Sequence, residues 1–468
     1  MDKKISMNPN RVVQFLKKKP EEFTREDIVR FCVENEVECV NFHYSGWDHK
    51  LKTLNFVLNS QEHLEEILDA GERVDGSSLF PFIEAGRSDL YIMPRINTAF
   101  VNPFADVNTL DFLCDYYDRD GKPFESSPRQ ILHRANEVFK ATTGMALHTM
   151  GELEYYVVSP IEANTQDTLY QIPEQTGYHQ SAPFCKFEDL RTDAMQLIAQ
   201  CGGQIKYGHS EVGNFVQDGK LYEQNEIEFL PVDIETAADN LVIAEWIMFQ
   251  LAYDYGVEVT FLPKITAGMA GSGLHVHMKL VGEQGNCMTL EDGSLTDDCK
   301  KAIAGLMVSG TSLPAWGNPS RESFQRLVPH QEAPTSLCWS FSNRSALVRV
   351  PLGWQHMRQF AGKQTFEWRA SDGMAELHLL MAALSQAARH GFSMKDALEV
   401  AERTYVDLGV NIHDEKNKEL HDRLQQLPTS PAQAAERLQQ DRNIYTDGGV
   451  FSDALVDYQI KYLKSLAL

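Results

Sequence analysis

Positive charge is in short supply in this sequence: 43 Lys and Arg stand against 66 Asp and Glu, a formal charge of −23 at pH 7. Such a chain repels phosphate backbones and anionic lipid, which argues against nucleic acid and membranes as partners. There is no uninterrupted apolar run of about 18 residues, the length that spans a bilayer. The opening residues, MDKKISMNPNRVVQFLKKKPEEF, lack the apolar centre of a secretory signal, so a cytoplasmic location is expected. Cysteines are few, 8 in 468 residues and with no CxxC pair, which predicts reduced, structural thiols. Also missing are a GxxxxGK[ST] phosphate loop and the kinase signatures, and AGMAGSGLH does not fit GxGxxG. Any nucleotide site must therefore be built by other means.

What is present reads as a folded globular chain, 43% hydrophobic and 23% charged, with no internal repeat. Near the N-terminus, a helix around Arg25 to Glu36 precedes strand-like VECVNFHYSGW and LKTLNFVL, then helical QEHLEEILDAG. The turn-rich VDGSS and a strand pattern at LDFLCDYY follow. From about Ser127 the texture changes to helical RQILHRANEVFKATTG, which predicts a small domain over 1–126 and a large one over 127–468. The large domain mixes short strands in clusters with helices such as IETAADNLVIAEWIMFQLAYDYG and GMAELHLLMAALSQAARHGF, a pattern that predicts α+β rather than a doubly wound sheet.

In a strand, residues i and i+2 share a face. In GELEYYVV this aligns Glu152 with Glu154, opposite Leu153 and Tyr155. In GLHVHMKL it aligns His275 with His277, and in TFEWRASD it aligns Glu367 with Arg369. GHSEVG and YEQNEIEF add His209 with Glu211, and Gln224 with Glu226 and Glu228. One such strand is an ordinary solvated sheet face. Five of them, each with apolar residues behind, describe a front that repels itself unless cations neutralise it. Carboxylate oxygens with an imidazole nitrogen suit Mg²⁺ or Mn²⁺, and a two-metal site is the economical reading. Arg326, Arg344, Arg349 and Arg369 fall in one stretch of this acidic chain, and planar guanidinium groups suit phosphoryl groups and carboxylates.

In their order, GELEYY, GY before a proline, HSEVG, QNEIEF, GSGLHVHM, RLVPHQEAP, NRSALVRVP and FEWR resemble glutamine synthetase of the class I type, from VDGSS to GGVFSDALVDYQI. The resemblance implies a small N-terminal β-grasp domain, a large catalytic domain with a curved antiparallel sheet flanked by helices, and an ATP-dependent ligase. That ligase would join glutamate and ammonium through γ-glutamyl phosphate. It further implies two to three Mg²⁺ or Mn²⁺ per site and a homo-oligomer, a dodecamer of two hexameric rings with active sites between subunits.

Carried over by position, Glu154, Glu211 and Glu226 would hold the metal nearer the substrate, and Glu152, His275 and Glu367 the metal on the ATP phosphates. Arg326, Arg369 and Gly271 would bind glutamate, Arg344 the transferring phosphoryl group, and Arg349 and His277 the nucleotide. Asp75, the candidate base, and Ser78 would come from the adjacent subunit to join Tyr178, Glu211 and Glu332 around ammonium. The sequence departs from the family pattern at Ala270, where the family has Asn, and in the longer connection between Glu211 and Glu226, which predicts a remodelled loop. The short spacing from Glu154 to Glu211, and His421 at the place of the modified tyrosine, resemble the subtype without the extra insertion and without adenylylation. Ala270 keeps a second reading open, a related ligase acting on an amine other than ammonium.

Overall fold

The computed structural model describes the chain except residues 1, 2, 4, 84–87, 162–168, 284, 330–332, 353–361, 411, 413, 467 and 468. Glu332 lies outside the described residues. The chain forms two compact units, one of residues 1–130, 192–205 and 240–255, the other of 131–191, 206–239 and 256–468. Among the described residues no helix is long and apolar enough to cross a membrane.

The first unit is a β-grasp. Its strands are β1 (Cys39–Ser45), β2 (Leu51–Val57), β3 (Glu72–Asp75), β4 (Asp89–Pro94), β5 (Phe100–Val101) and β6 (Thr109–Tyr117), in the order β2-β1-β6-β4-β3 with β5 on β6. β1 and β6 run parallel, the other pairs antiparallel. Helix Arg25–Glu34 starts at a reciprocal cap between Thr24 and Asp27, and helix Gln61–Ala70 at Ser60. Their apolar faces, including Ile28, Phe31, Leu64 and Ile67, share one core with Val40, Phe42, Leu110 and Phe112 of the sheet. Both helices and the long strands fall where the hydrophobic pattern predicts.

The second unit is built on a ten-stranded, mostly antiparallel sheet flanked by helices, an α+β arrangement as expected. Its strands are β7 (Ala146–Pro160), β8 (Ile205–Gln217), β9 (Lys220–Phe229), β10 (Val232–Asp233), β11 (Glu258–Thr260), β12 (Leu274–Gly282), β13 (Gly285–Asn286), β14 (Trp339–Phe341), β15 (Val348–Val350) and β16 (Phe366–Trp368). The order is β14-β15-β16-β12-β7-β9-β8, with β10 and β11 on β7 and β13 on β12. The expectation of short strands fails at the centre: β7 is 15 residues long. Its alternation keeps Leu147, Leu153, Tyr155 and Val157 buried on one face over that whole length. The connection from Glu211 to Glu226 is a regular hairpin, not a remodelled loop. It turns at Asp218 and Gly219, both at positive φ (51° and 73°), as a two-residue hairpin turn requires.

Helix Leu377–Ser393 carries a buried ion group beside its start. Glu376 caps the helix, its Oε2 accepting the Leu379 N–H at 2.6 Å. His378 Nε2 lies 3.1 Å from Asp239 Oδ1, and its Nδ1 3.3 Å from Glu376 Oε1. Burial opposes its charge, but the bonds to Asp239 and Glu376 prevail and push its pKa up to about 9. The raised value means stability that is fully present below about pH 6.5 and lost as pH rises through about 9. At 1.36 kcal/mol per tenfold change, that is roughly 3 kcal/mol. The wild type should therefore lose melting temperature between pH 6.5 and pH 9, and His378→Gln should flatten that fall, measured by calorimetry on the same buffers.

Candidate active site

Strand register assembles the charged residues. Across β7 and β9, Glu152 faces Glu228 and Glu154 faces Glu226. Across β7 and β12, Glu152 faces His275. Glu367 on β16 faces His277 on one side and Arg349 on the other. Directly opposite side chains on one sheet face lie about 5 Å apart at Cβ. The spacing of two read from single strands thus becomes a continuous patch, and it lines a cavity of about 830 Å³.

Two sets of donor atoms stand out within it. Glu152, His275 and Glu367 each bring one donor within 4.8 Å of the others, matching the trio expected on the phosphate side. Glu152 lies 3.1 Å from His275 Nδ1 and 2.7 Å from His277 Nε2. Glu367 accepts from Arg349 Nη1 at 2.7 Å and also from Arg369. The second set is His209, Glu211 and Glu226. Glu154, expected in this second set, faces Glu226, and its Oε2 accepts the Gly273 N–H at 2.5 Å. A third trio, Glu152, Glu226 and Glu228, continues the patch, with Lys206 Nζ 2.6 Å from Glu228.

The electrostatics divide along the same line. Burial, then the charge of Glu211, pushes Glu154 up to about 8 despite Arg326. Burial and the surrounding Glu152, Glu154, Glu211 and Glu228 raise Glu226 well above the usual carboxylate range. On the other side burial is outweighed: His277 holds Glu152 well below its ordinary value, and Arg369 lowers Glu367. Burial lowers His275 to about 4, whereas His277 is raised because Glu152 and Glu367 overcome its burial. His209 is lowered by burial. Carboxylates and neutral imidazoles in such density fit hard or borderline divalent cations, so the donor chemistry matches the ions the sequence implies.

The remaining expected residues that the structure describes divide into two groups. Tyr178, Gly271, Arg326, Arg344, Arg349, Arg369 and His277 all line the cavity. Arg326 is buried, with its guanidinium donating to the carbonyls of Arg369 (3.1 Å), Ala370 (3.0 Å) and Ser371 (3.1 Å). It lies so close to the glycine loop that a side chain at Gly273 would run into it. Asp75 and Ser78 belong to the first unit, where both are exposed. Ser77 Oγ and Ser78 Oγ donate to Asp75, each at 2.7 Å, and such bonds hold its carboxyl well below the usual range. Cavity residues that sequence reasoning missed include Gln175, His179, Lys206 and Thr365. Gln175, at φ 60°, accepts the Ala270 N–H at 2.7 Å, and Thr365 Oγ1 lies 2.8 Å from His277 Nδ1. None of the four carries a spacing signal that would have marked it.

An acidic, histidine-bearing sheet face set beside four arginines has the donor chemistry to accept divalent cations and anionic groups together. Comparison with known proteins names the class. Residues 125–465 match the family model for the glutamine synthetase catalytic domain, and residues 36–119 match that for the glutamine synthetase beta-grasp domain. Glutamine synthetase of Clostridium saccharobutylicum is 32% identical over 373 residues, 79% of this chain and 80% of that protein. A 3-hydroxylaminophenol mutase of Cupriavidus pinatubonensis is 28% identical over 467 residues, 93% of this chain and 94% of its own. In structure, Plasmodium falciparum glutamine synthetase shares the fold with a TM-score of 0.79 at 20% identity, over 96% of each chain. The chain belongs to the glutamine synthetase family, and with that membership comes the enzyme class, a ligase.

Glu154→Gln keeps the side-chain volume and removes a charge that the fold disfavours. A buried acid raised to about 8 lowers stability as pH climbs from its unfolded value of about 4.5 toward 8. The metal-free variant should melt a few degrees above wild type at pH 9 and level with it at pH 5. Its Mn²⁺ affinity, by calorimetric titration, should fall at least about 10-fold.

Proposed function

We propose that the protein makes glutamine from glutamate, ammonium and ATP through a γ-glutamyl phosphate. The observation that carries this reading is a single cavity whose wall sets Glu152, His275, His209, Glu211 and Glu226 beside Arg326, Arg344, Arg349 and Arg369, with Glu367 buried behind Glu152 and His275. A free carboxylate is a poor acyl donor because its oxygen leaves badly. Moving the terminal phosphoryl group of ATP onto that oxygen makes phosphate the leaving group. Ammonia then forms the C–N bond as the C–O bond to phosphate breaks, and the proton surrendered by ammonium passes to a carboxylate.

Glu152, His275 and Glu367, and Glu154, Glu211 and Glu226, would hold two to three Mg²⁺ or Mn²⁺, which supply charge neutralisation to the phosphoryl group. In this reading Arg344 steadies the phosphoryl oxygens, Arg349 and His277 the nucleotide, and Arg326, Arg369 and Gly271 the amino acid. Tyr178, Glu211 and Glu332 bound the ammonium pocket, which Asp75 and Ser78 of a neighbouring copy complete within a ring-shaped homo-oligomer, a dodecamer of two hexamers. A carboxylate as strongly stabilised as Asp75 in the single chain is a trap for a cation before it is a base.

The direct test is product mass and phosphate release from purified protein with ATP, Mg²⁺, glutamate and ammonium. Asp75→Asn should lose amide formation by roughly 10²-fold or more while still turning over ATP in the presence of glutamate, because phosphorylation does not use Asp75. Mixing the inactive variants Asp75→Ala and Arg344→Ala should restore part of the activity, since some mixed interfaces carry both intact residues. A dead mixture in mixed rings proven by mass would contradict the shared site.

A second reading, a ligase joining glutamate or a related acid to another amine, is favoured by Ala270. The family position carries an amide, and here the Ala270 N–H is taken instead by Gln175. An alkyl or aromatic amine that beats ammonium in kcat/KM would establish it.

A further inference from the structure

His209 is not among the residues that the family resemblance assigns to a metal, yet its placement is that of a ligand. It sits on β8 two residues before Glu211, so both side chains share a face, and β9 brings Glu226 alongside. One donor atom from each of the three lies within 4.8 Å of the other two. Donors at about 2.1 Å from a single ion stand roughly 3 to 4.3 Å apart in an octahedral shell, so this spacing closes on an ion with little movement.

The ring is already oriented for the task. Its Nδ1 lies 3.1 Å from the Ser210 carbonyl oxygen, which can only accept, so Nδ1 carries the proton and Nε2 keeps its lone pair. Nε2 is the nitrogen 3.7 Å from Glu226 Oε2, while Glu211 Oε1 lies 3.8 Å from Nδ1, so the Glu211 carboxylate must turn toward Nε2 to share an ion with it. A backbone carbonyl fixing the far nitrogen is the usual way a protein prepares a metal-binding imidazole. Aromatic neighbours hold the plane: the ring centroid of His179 is 4.3 Å away and that of Tyr178 5.6 Å.

We propose that His209 binds, through Nε2, the cation held by Glu211 and Glu226, and that this nitrogen makes the site prefer a first-row transition ion such as Mn²⁺ over Mg²⁺. An imidazole nitrogen is accepted more readily by first-row transition ions, of which Mn²⁺ is the most oxygen-seeking, than by Mg²⁺, whose preference for oxygen is stronger still. The inference rests on the reading of the cavity as a divalent-cation site.

The test is electron spin-echo modulation of Mn²⁺ bound to the full-length protein, alongside calorimetric titration with Mn²⁺ and with Mg²⁺. Wild type should show nitrogen coupling from two imidazoles, one of them His275, and His209→Gln from one. The same substitution should weaken Mn²⁺ at its affected site about 10-fold or more and Mg²⁺ less than about 3-fold. His179→Gln, which leaves the donor atoms in place, should retain both couplings. Nitrogen coupling that His209→Gln does not alter, with Mn²⁺ still bound, would overturn the proposal while leaving the metal-dependent ligase reading intact. Failure of the wild type to bind either ion would overturn both.

Discussion

The feature on which everything else depends is the register between β7 and β9, which sets glutamate against glutamate at two successive positions of one sheet face. Like charges directly opposite each other on a sheet are destabilising, and burial deepens the penalty. The fold accepts this at Glu154 and Glu226, whose carboxyl groups are raised accordingly, and relieves it at Glu152 and Glu367 with histidines and arginines. The cavity therefore has two electrostatic halves. One is internally neutralised, and the other is left with a demand for positive charge that only an incoming cation or a retained proton can meet.

Around that patch the supporting residues are aimed rather than merely packed. Arg326 donates to three backbone carbonyls, contacts that rigidify the strand end carrying Arg369. Gln224 Oε1 accepts the Gly213 N–H, and its Nε2 donates to the Gly271 carbonyl. Gln175 and Tyr156 grip the two ends of Ala270. The glycine loop is thus fixed from two strands and the turn carrying Gln175, and its neighbours Glu154, on one side, and His275, on the other, inherit that rigidity. Preorganisation of this kind is what a site needs if charge is to develop without the protein first rearranging.

Much of this was legible from residue order. The i, i+2 pairs at 152/154, 275/277 and 367/369 required only strand geometry, and the amphipathic helices of the β-grasp followed from their periodicity. Register was not legible, because nothing local says that Glu152 sits between Glu228 and His275. Between Glu211 and Glu226 the extra length suggests a loop, yet Asp218-Gly219 between alternating residues is a hairpin signal, and the structure follows it. His209 was visible beside Glu211, but only the pairing of β8 with β9 brings it to Glu226. Gln175 gave no sign at all, since its contact with Ala270 spans 95 residues.

That incoming cations displace protons from Glu154 and Glu226 has a direct measurement. Calorimetric titration of the metal-free protein with Mn²⁺ at pH 7, in buffers of different ionisation enthalpy, counts the protons released per ion bound. With Glu154 near 8 and Glu226 raised as well, at least one proton should leave as the ions enter. Binding without proton release would contradict the account.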